Sequence, residues 1–331
     1  MFRTVSIIGD GAMATVLAML LAEKEIPVRL WGYDPMQLDR VRRSRENKKF
    51  LPGYKLSKAI QFDSHDDHIL EGADLLVSAV PCQYTRGIWM RLSGHFGDNV
   101  PIVSVAKGIE NDTLMRPTEI LADVLGPGVR CAVMSGPTIA DELARRLPAT
   151  ACVACQDQDL AKNVQYTFNC DWLRVYTNSD VVGVELAAAC KNVIAIAAGI
   201  IDGVGAGDNA KAALLSRGLA EIARLGLACG ARPETFAGLA GLGDLVTTCI
   251  SPKGRNRSFG ERIGRGHTTR QALAATESVV EGVATCESVV ALARHKGVEM
   301  PITEAVHQVL FEHKPVHQAI HDLMIRQLKA E

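Results

Sequence analysis

A glycine-punctuated turn near the start of the chain narrows the choice of fold more than any other feature. Gly9-Asp10-Gly11-Ala12-Met13-Ala14 follows the apolar run 4–8 (TVSII) and leads into the helix-forming stretch 14–23. Strand, GxGxxA turn and helix are the opening parts of a dinucleotide-binding βαβ unit. Gly9 permits the tight turn, Gly11 lets the backbone approach a pyrophosphate, and the small Ala14 lets helix and strand pack closely. The anion would then sit on the free N–H groups and positive dipole end of the helix.

The rest of the first half continues that rhythm. Residues 28–31, 75–80 (LLVSAV) and 102–105 (IVSV) are short continuous apolar runs, as expected of strands buried on both faces; 132–134 and 151–154 repeat the pattern more weakly. Beyond about residue 178 the segments become long, Ala- and Leu-rich, and end on Gly, a common stop just past a helix. The expected fold is an α/β Rossmann-type domain with a mostly parallel sheet over 1–178, followed by an all-α domain over 179–331. A ligand site is expected in the cleft between them.

Composition mainly excludes. The formal net charge of −1 gives the whole molecule no electrostatic reason to seek nucleic acid or an anionic membrane, so any anion must be held by a local basic cluster. The opening MFRTVSIIGDG lacks the apolar region and cleavage site of a signal peptide, and a cytoplasmic location is expected. Residues 184–201 are apolar enough to suggest a membrane span, but Glu185, Lys191 and Asn192 interrupt them, so the segment reads as a buried helix without stable membrane insertion. Nine scattered cysteines make no disulfide framework. Cys152 and Cys155 form a lone CxxC; on a strand, residues three apart face opposite ways, so inert core thiols are expected rather than a zinc or redox pair. His65/His68 and His317/His321 have metal-like spacing without a convincing third ligand, and no metal is expected. Asp34, ending the second strand, could bind ribose hydroxyls or cap the helix that starts at Pro35. NAD or NADP stays open as the cofactor.

Further motifs come in series. Lys107-Gly108-Ile109-Glu110 and Ser135-Gly136-Pro137-Thr138-Ile139-Ala140 each follow a predicted strand, where ligands of open α/β sheets bind. Lys191-Asn192-Val193, Gly241-Leu242-Gly243-Asp244-Leu245, Gly254-Arg255-Asn256-Arg257 and Val280-Glu281-Gly282 follow in order. Together with NKKFLPG (47–53) and LMIR (323–326), this series resembles the bacterial NAD(P)-dependent glycerol-3-phosphate dehydrogenase family over nearly the whole chain.

The resemblance implies reversible hydride transfer to dihydroxyacetone phosphate, a phosphorylated triose, giving glycerol 3-phosphate for phospholipid synthesis. It makes Lys191 the acid/base and sets Lys107, Gly136, Thr138, Asp244, Gly254, Arg255 and Asn256 around the substrate. Ala12, Met13, Tyr33, Lys107, Ala140, Arg255, Val279 and Glu281 would face the cofactor, beside Gly9 and Gly11. Two departures stand out: Ala12-Met13-Ala14 replaces the usual Ser-aromatic-Gly, and Gly254 replaces a common Ser. The first bears on the grip on the cofactor phosphates; the second removes a possible hydroxyl donor.

The residue chemistry agrees. Ketone reduction needs a proton donor and positive charge for the developing alkoxide. Lys191 can donate, Lys107 would lower its pKa and stabilise the alkoxide, and Asp244 would orient the lysine. Arg255 offers a phosphate the fork that a lysine lacks. Glu185, Ala188, Lys191, Ala195 and Ala198 would share one small, partly polar helix face able to approach a ligand. The bland alternatives are a solvent-exposed lysine, a helix-capping Asp244 and a solvated basic loop at 255–265. Functional rivals are a 3-hydroxy acid or ketopantoate dehydrogenase and a non-catalytic nicotinamide sensor. A homodimer is expected.

Overall fold

The computed structural model describes residues 2–97, 99–276 and 279–328. The chain divides into two compact units, 1–107 with 115–185, and 108–114 with 186–331.

The first unit is built on an eight-stranded sheet: β1 (Val5–Ile8), β2 (Val28–Trp31), β3 (Ile60–Phe62), β4 (Leu75–Ser78), β5 (Ile102–Ser104), β6 (Cys131–Ser135), β7 (Ala149–Ala154) and β8 (Leu173–Asn178). Their spatial order is β3-β2-β1-β4-β5-β6-β7-β8, parallel throughout except for the β6–β7 pair. β1 lies centrally, with Val5 opposite both Val28 and Leu75. Alternate side chains on a strand face opposite ways, so the sheet feeds two cores. Val5, Ile7, Leu75 and Val77 enter one, while Ile8, Leu76 and Ile102 enter the other with Trp31 and Trp89. Continuous apolar runs are needed here because both faces are covered.

Three details depart from the sequence reading. The first helix begins at Ala12 rather than 14, so the glycine turn opens directly into it. β3 and β8 were not expected. β3 has three residues and β8 (LRVYTN) buries Leu173 and Val175 while exposing Arg174 and Tyr176; both are edge strands, which need no continuous apolar run. β7 runs against β6, a reversal common where a parallel sheet gains an edge segment.

The second unit is helical. Helix Val181–Val204, across which the unit boundary falls after Glu185, is long and apolar enough to cross a membrane, yet 94% of its most apolar window is buried within the protein. It packs backbone to backbone against helix Arg255–Gly264. A Cβ on Gly199 would lie 1.9 Å from Arg257 O, and one on Gly260 would lie 2.0 Å from Ile196 O. Gly203 and Gly264 repeat this one turn on. The two backbones touch along small-xxx-small stripes, a spacing no side chain at these positions would permit. Asp202 and Arg257 pair across the same contact at 2.5 Å. This crossing sets Asn256 relative to Asn192, within the second unit.

Candidate active site

In the first unit the site begins with the glycine turn. Gly9 has φ +124°, and a Cβ there would lie 2.6 Å from Ala79 O, so only glycine fits. Gly11 caps helix Ala12–Glu23 with no side-chain hydrogen bond to the first turn, and the space where its Cβ would point is open. A helix end whose N–H groups lack a side-chain partner, facing a hollow that a Cβ would fill, fits a dinucleotide pyrophosphate. Ala12 and Met13 are half-buried on that first turn, and Ala14 is fully buried. The turn is braced from outside it. Asn47, buried, donates from Nδ2 to Asp10 O (2.7 Å) and Thr15 Oγ1 (2.8 Å), and Thr15 Oγ1 donates to Gly11 O (2.9 Å).

Asp34 acts as a cap: its Oδ1 accepts from Met36 N (2.9 Å) and Gln37 N (3.2 Å). The adjoining Tyr33 is 67% exposed, with the Arg91 guanidinium 5.8 Å from its ring centre. Arg91 is itself held by Asp66 at 2.5 and 2.9 Å.

Beyond β5 and β6, two segments meet at one carbonyl. Gly136 O accepts from Lys107 Nζ (3.4 Å) and Thr138 Oγ1 (3.1 Å). Gly136 needs its small size, since a Cβ would lie 2.9 Å from Thr150 O. Ala140 opens the short helix Ala140–Ala144 directly after this turn.

In the second unit Lys191, 5% exposed, donates from Nζ to Asp244 Oδ1 (2.7 Å) and Thr248 Oγ1 (2.6 Å). Thr248 Oγ1 also lies 3.2 Å from Asp244 Oδ1, which closes the triangle. Asp244 and Thr248 are one turn apart on helix Asp244–Ile250, which a π-helical turn at Leu239–Gly243 precedes. That turn carries the Gly241-Leu242-Gly243 part of the GLGDL motif, whose Asp244 and Leu245 open the helix; single π turns often mark functional sites. A buried ammonium this close to a buried carboxylate is a proton source whose charge is held in place.

The Asn192 side chain is buried and its Nδ2 has no hydrogen-bond partner. An unsatisfied buried donor costs free energy unless a ligand uses it. Asn192 belongs to the Lys191-Asn192-Val193 motif, and Thr248 lies outside every motif of the sequence. Nothing local marks Thr248; its i+4 spacing from Asp244 was the available signal.

Gly254 is the N-cap of helix Arg255–Gly264, offering only backbone. Arg255 is exposed, with Nη1 donating to Val279 O at 3.0 Å. Val279 is 44% exposed, and Glu281 starts the next helix, Glu281–Lys296. Asn256 accepts from Gly282 N through Oδ1 (3.0 Å), which turns its amide NH2 away as the remaining donor.

Other candidates fall elsewhere. Glu185 does not supply polarity to the lysine face: its carboxylate accepts from Thr118 N (2.8 Å) and Oγ1 (2.7 Å) and pairs with Arg116 (2.5 Å). Residues 255–264 form a helix rather than a loop. Cys152 and Cys155 are buried, and burial pushes the Cys152 thiol up to about 11. His65 and His68 gain a neighbour that the sequence reading lacked, Asp63, whose Oδ1 lies 2.9 Å from both the backbone N and the Nδ1 of His65. That hydrogen bonding accounts for the arrangement as an Asx turn on an exposed loop. His317 and His321 are exposed on helix Val316–Met324.

Models of the N-terminus and C-terminus of NAD-dependent glycerol-3-phosphate dehydrogenase match residues 4–161 and 180–321. A Geobacter sulfurreducens relative named glycerol-3-phosphate dehydrogenase (NAD(P)+) is 48% identical, over 100% of this chain and 99% of its own. The crystal structure of glycerol-3-phosphate dehydrogenase from Coxiella burnetii superposes with a TM-score of 0.95 at 36% identity, covering 98% of this chain and 99% of that one. A ketopantoate reductase from Ralstonia eutropha, 16% identical with a TM-score of 0.62 over 97% of this chain and 99% of its own, shares the fold alone.

Proposed function

We propose, from the premise that the chain belongs to the NAD-dependent glycerol-3-phosphate dehydrogenase family, that it catalyses the reversible reduction of dihydroxyacetone phosphate to sn-glycerol 3-phosphate. Residues 1–178 serve as its dinucleotide-binding domain and 179–331 as its substrate-binding and catalytic domain. The carrying observation is the buried Lys191–Asp244–Thr248 triangle, with Asn192, the next residue on the helix, holding a buried amide without a hydrogen-bond partner.

NAD(H) or NADP(H), when bound, supplies or accepts the hydride. The Gly9–Ala14 turn and the N–H groups of Ala12 and Met13 would hold it, and the family resemblance assigns Tyr33, Lys107, Ala140, Arg255, Val279 and Glu281 to the cofactor as well. Lys191 Nζ gives its proton to the carbonyl oxygen in reduction and takes it back in oxidation. Asp244 Oδ1 keeps the ammonium oriented, while Thr248 Oγ1 fixes its second direction. The Asn192 amide donates to the same oxygen, supplying its missing hydrogen bond. Arg255, the Asn256 NH2 and the backbone at Gly254 take the phosphate; Lys107, Gly136 and Thr138 frame the rest of the substrate. The product serves phospholipid synthesis, and the enzyme acts as a cytoplasmic homodimer.

The phosphate is what separates this reaction from reduction of an unphosphorylated 2-oxo or 3-hydroxy acid. Losing a charge-assisted hydrogen bond costs roughly 1.5–3 kcal/mol, so Arg255→Ala should lower kcat/KM for dihydroxyacetone phosphate by about tenfold to a hundredfold. Arg255→Lys should recover part of it. Dihydroxyacetone should be a very poor substrate, and Arg255→Ala should hardly change its rate. A parent enzyme that reduces dihydroxyacetone as well as the phosphate would refute the assignment, and ketopantoate turnover would favour that rival.

A further inference from the structure

We propose that Asp10 makes this enzyme discriminate against the 2′-phosphorylated dinucleotide and so prefer NAD(H) to NADP(H). The proposal rests on the reading of the Gly9–Ala14 turn as the dinucleotide cradle. In such folds an acidic group at the end of β2 holds the adenosine ribose hydroxyls, while a basic group there accepts a 2′-phosphate.

The expected acid at this place is already engaged. Asp34 Oδ1 accepts two backbone N–H bonds at the start of helix Pro35–Ser44, with Arg40 Nη2 4.0 Å from its other oxygen. Asp10 stands over the strand end instead. Gly32 follows directly on β2, and a Cβ built on it would lie 3.1 Å from Asp10 Cγ and 3.1 Å from its Oδ2. The Asp10 carboxylate therefore occupies the space that a side chain at position 32 would fill. Asn47 fixes the Asp10 backbone through its 2.7 Å bond to the carbonyl, so the carboxylate has a defined origin.

The charges around it favour a hydroxyl over a phosphate. Burial holds the Asp10 carboxyl above the usual carboxylate range, its own backbone N–H and the Lys49 charge oppose that rise, and the negative charge of Asp34 adds to it. Arg40 is tied to Gln37 Oε1 at 3.3 and 3.2 Å, and Arg91 is tied to Asp66. A phosphate dianion at this strand end would face the carboxylates of Asp10 and Asp34. A ribose 2′-hydroxyl would donate to Asp10 as a charge-assisted hydrogen bond.

The test is direct binding, by isothermal titration with NADH and NADPH, followed by kcat/KM with dihydroxyacetone phosphate. The parent should bind NADH at least about tenfold more tightly than NADPH. Asp10→Asn, nearly isosteric, should shrink that ratio about tenfold, through both weaker NADH and tighter NADPH binding; Asp10→Ala should do the same. Circular dichroism checks that each variant is folded. Equal or tighter NADPH binding by the parent, or a ratio unmoved in both variants, overturns the proposal. So does a ratio that moves in Asp34→Asn but not at Asp10. Failure of the underlying reading would look different: Gly11→Val would bind both cofactors as the parent does, removing the cradle and the proposal together.

Discussion

Replacing Gly260 by alanine places a methyl group against the backbone of the neighbouring helix. The new Cβ would lie 2.0 Å from Ile196 O and 2.8 Å from Ile196 C, whereas ordinary contact begins near 3.4 Å. Helix Arg255–Gly264 must therefore withdraw by about 1.4 Å, and Gly264, 2.4 Å from Ile200 O by the same construction, shows that the next turn offers no slack. Overpacking of this kind costs about 1–3 kcal/mol. For a unit of this size each kcal/mol lowers Tm by about 2–4 °C, so a fall of roughly 2–12 °C is expected by calorimetry. The displaced helix carries Arg255 and Asn256, and the 3.0 Å bond from Gly282 N to Asn256 should lengthen. Misplacement by about 1 Å can cost a hundredfold in rate, so kcat/KM for dihydroxyacetone phosphate should fall more than stability alone explains. Gly87→Ala is the control: it lies within helix Cys82–Leu92 with nothing within 4 Å of its Cβ, and should be neutral or slightly stabilising. A Gly260→Ala enzyme with parental Tm and kinetics would refute the close-crossing argument.

Other perturbations probe separate parts of the molecule. Lys191→Ala should lower kcat by at least about a hundredfold, the scale of general acid catalysis, while NADH affinity measured by fluorescence titration stays near the parent's; near-normal turnover would remove Lys191 from the mechanism. Gly11→Val should abolish cofactor binding in a chain that circular dichroism shows to be folded, because the side chain fills the open hollow. Glu221 is buried, and its carboxylate accepts from Ile302 N (2.7 Å) and Thr303 N (3.2 Å) at the start of helix Pro301–Phe311; burial raises it from 4.5 to about 7, against those hydrogen bonds. Between those values the folded chain holds a proton that the unfolded chain has lost, so stability falls as pH rises through about 4.5–7, by up to about 3 kcal/mol. Glu221→Gln should remove that slope; parallel pH dependence of Tm in parent and variant would count against it.

The sequence by itself determined whatever depends on neighbours along the chain. Gly9 and Gly11 announce the turn because a φ of +124° and an open helix end are local demands. Runs such as VSII and LLVS announce doubly covered strands because every residue in them must be apolar. The order of the lysine, GLGDL and GRNR motifs carried the family resemblance without any knowledge of contacts. Edge elements left weaker marks: β8 alternates and β3 is too short to show a period. The tertiary structure alone decided the pairings. Lys191 meets Asp244 across 53 residues and Thr248 across 57, and Asn256 meets Gly282 across 26. It also assigned Asp34 to a helix cap, one of two roles that the local sequence left equal, and put Asp10 over Gly32, which no local pattern announces. Hydrogen bonds and steric contacts act over a few ångströms in space, and separation along the chain does not encode that distance until the helices and strands have packed.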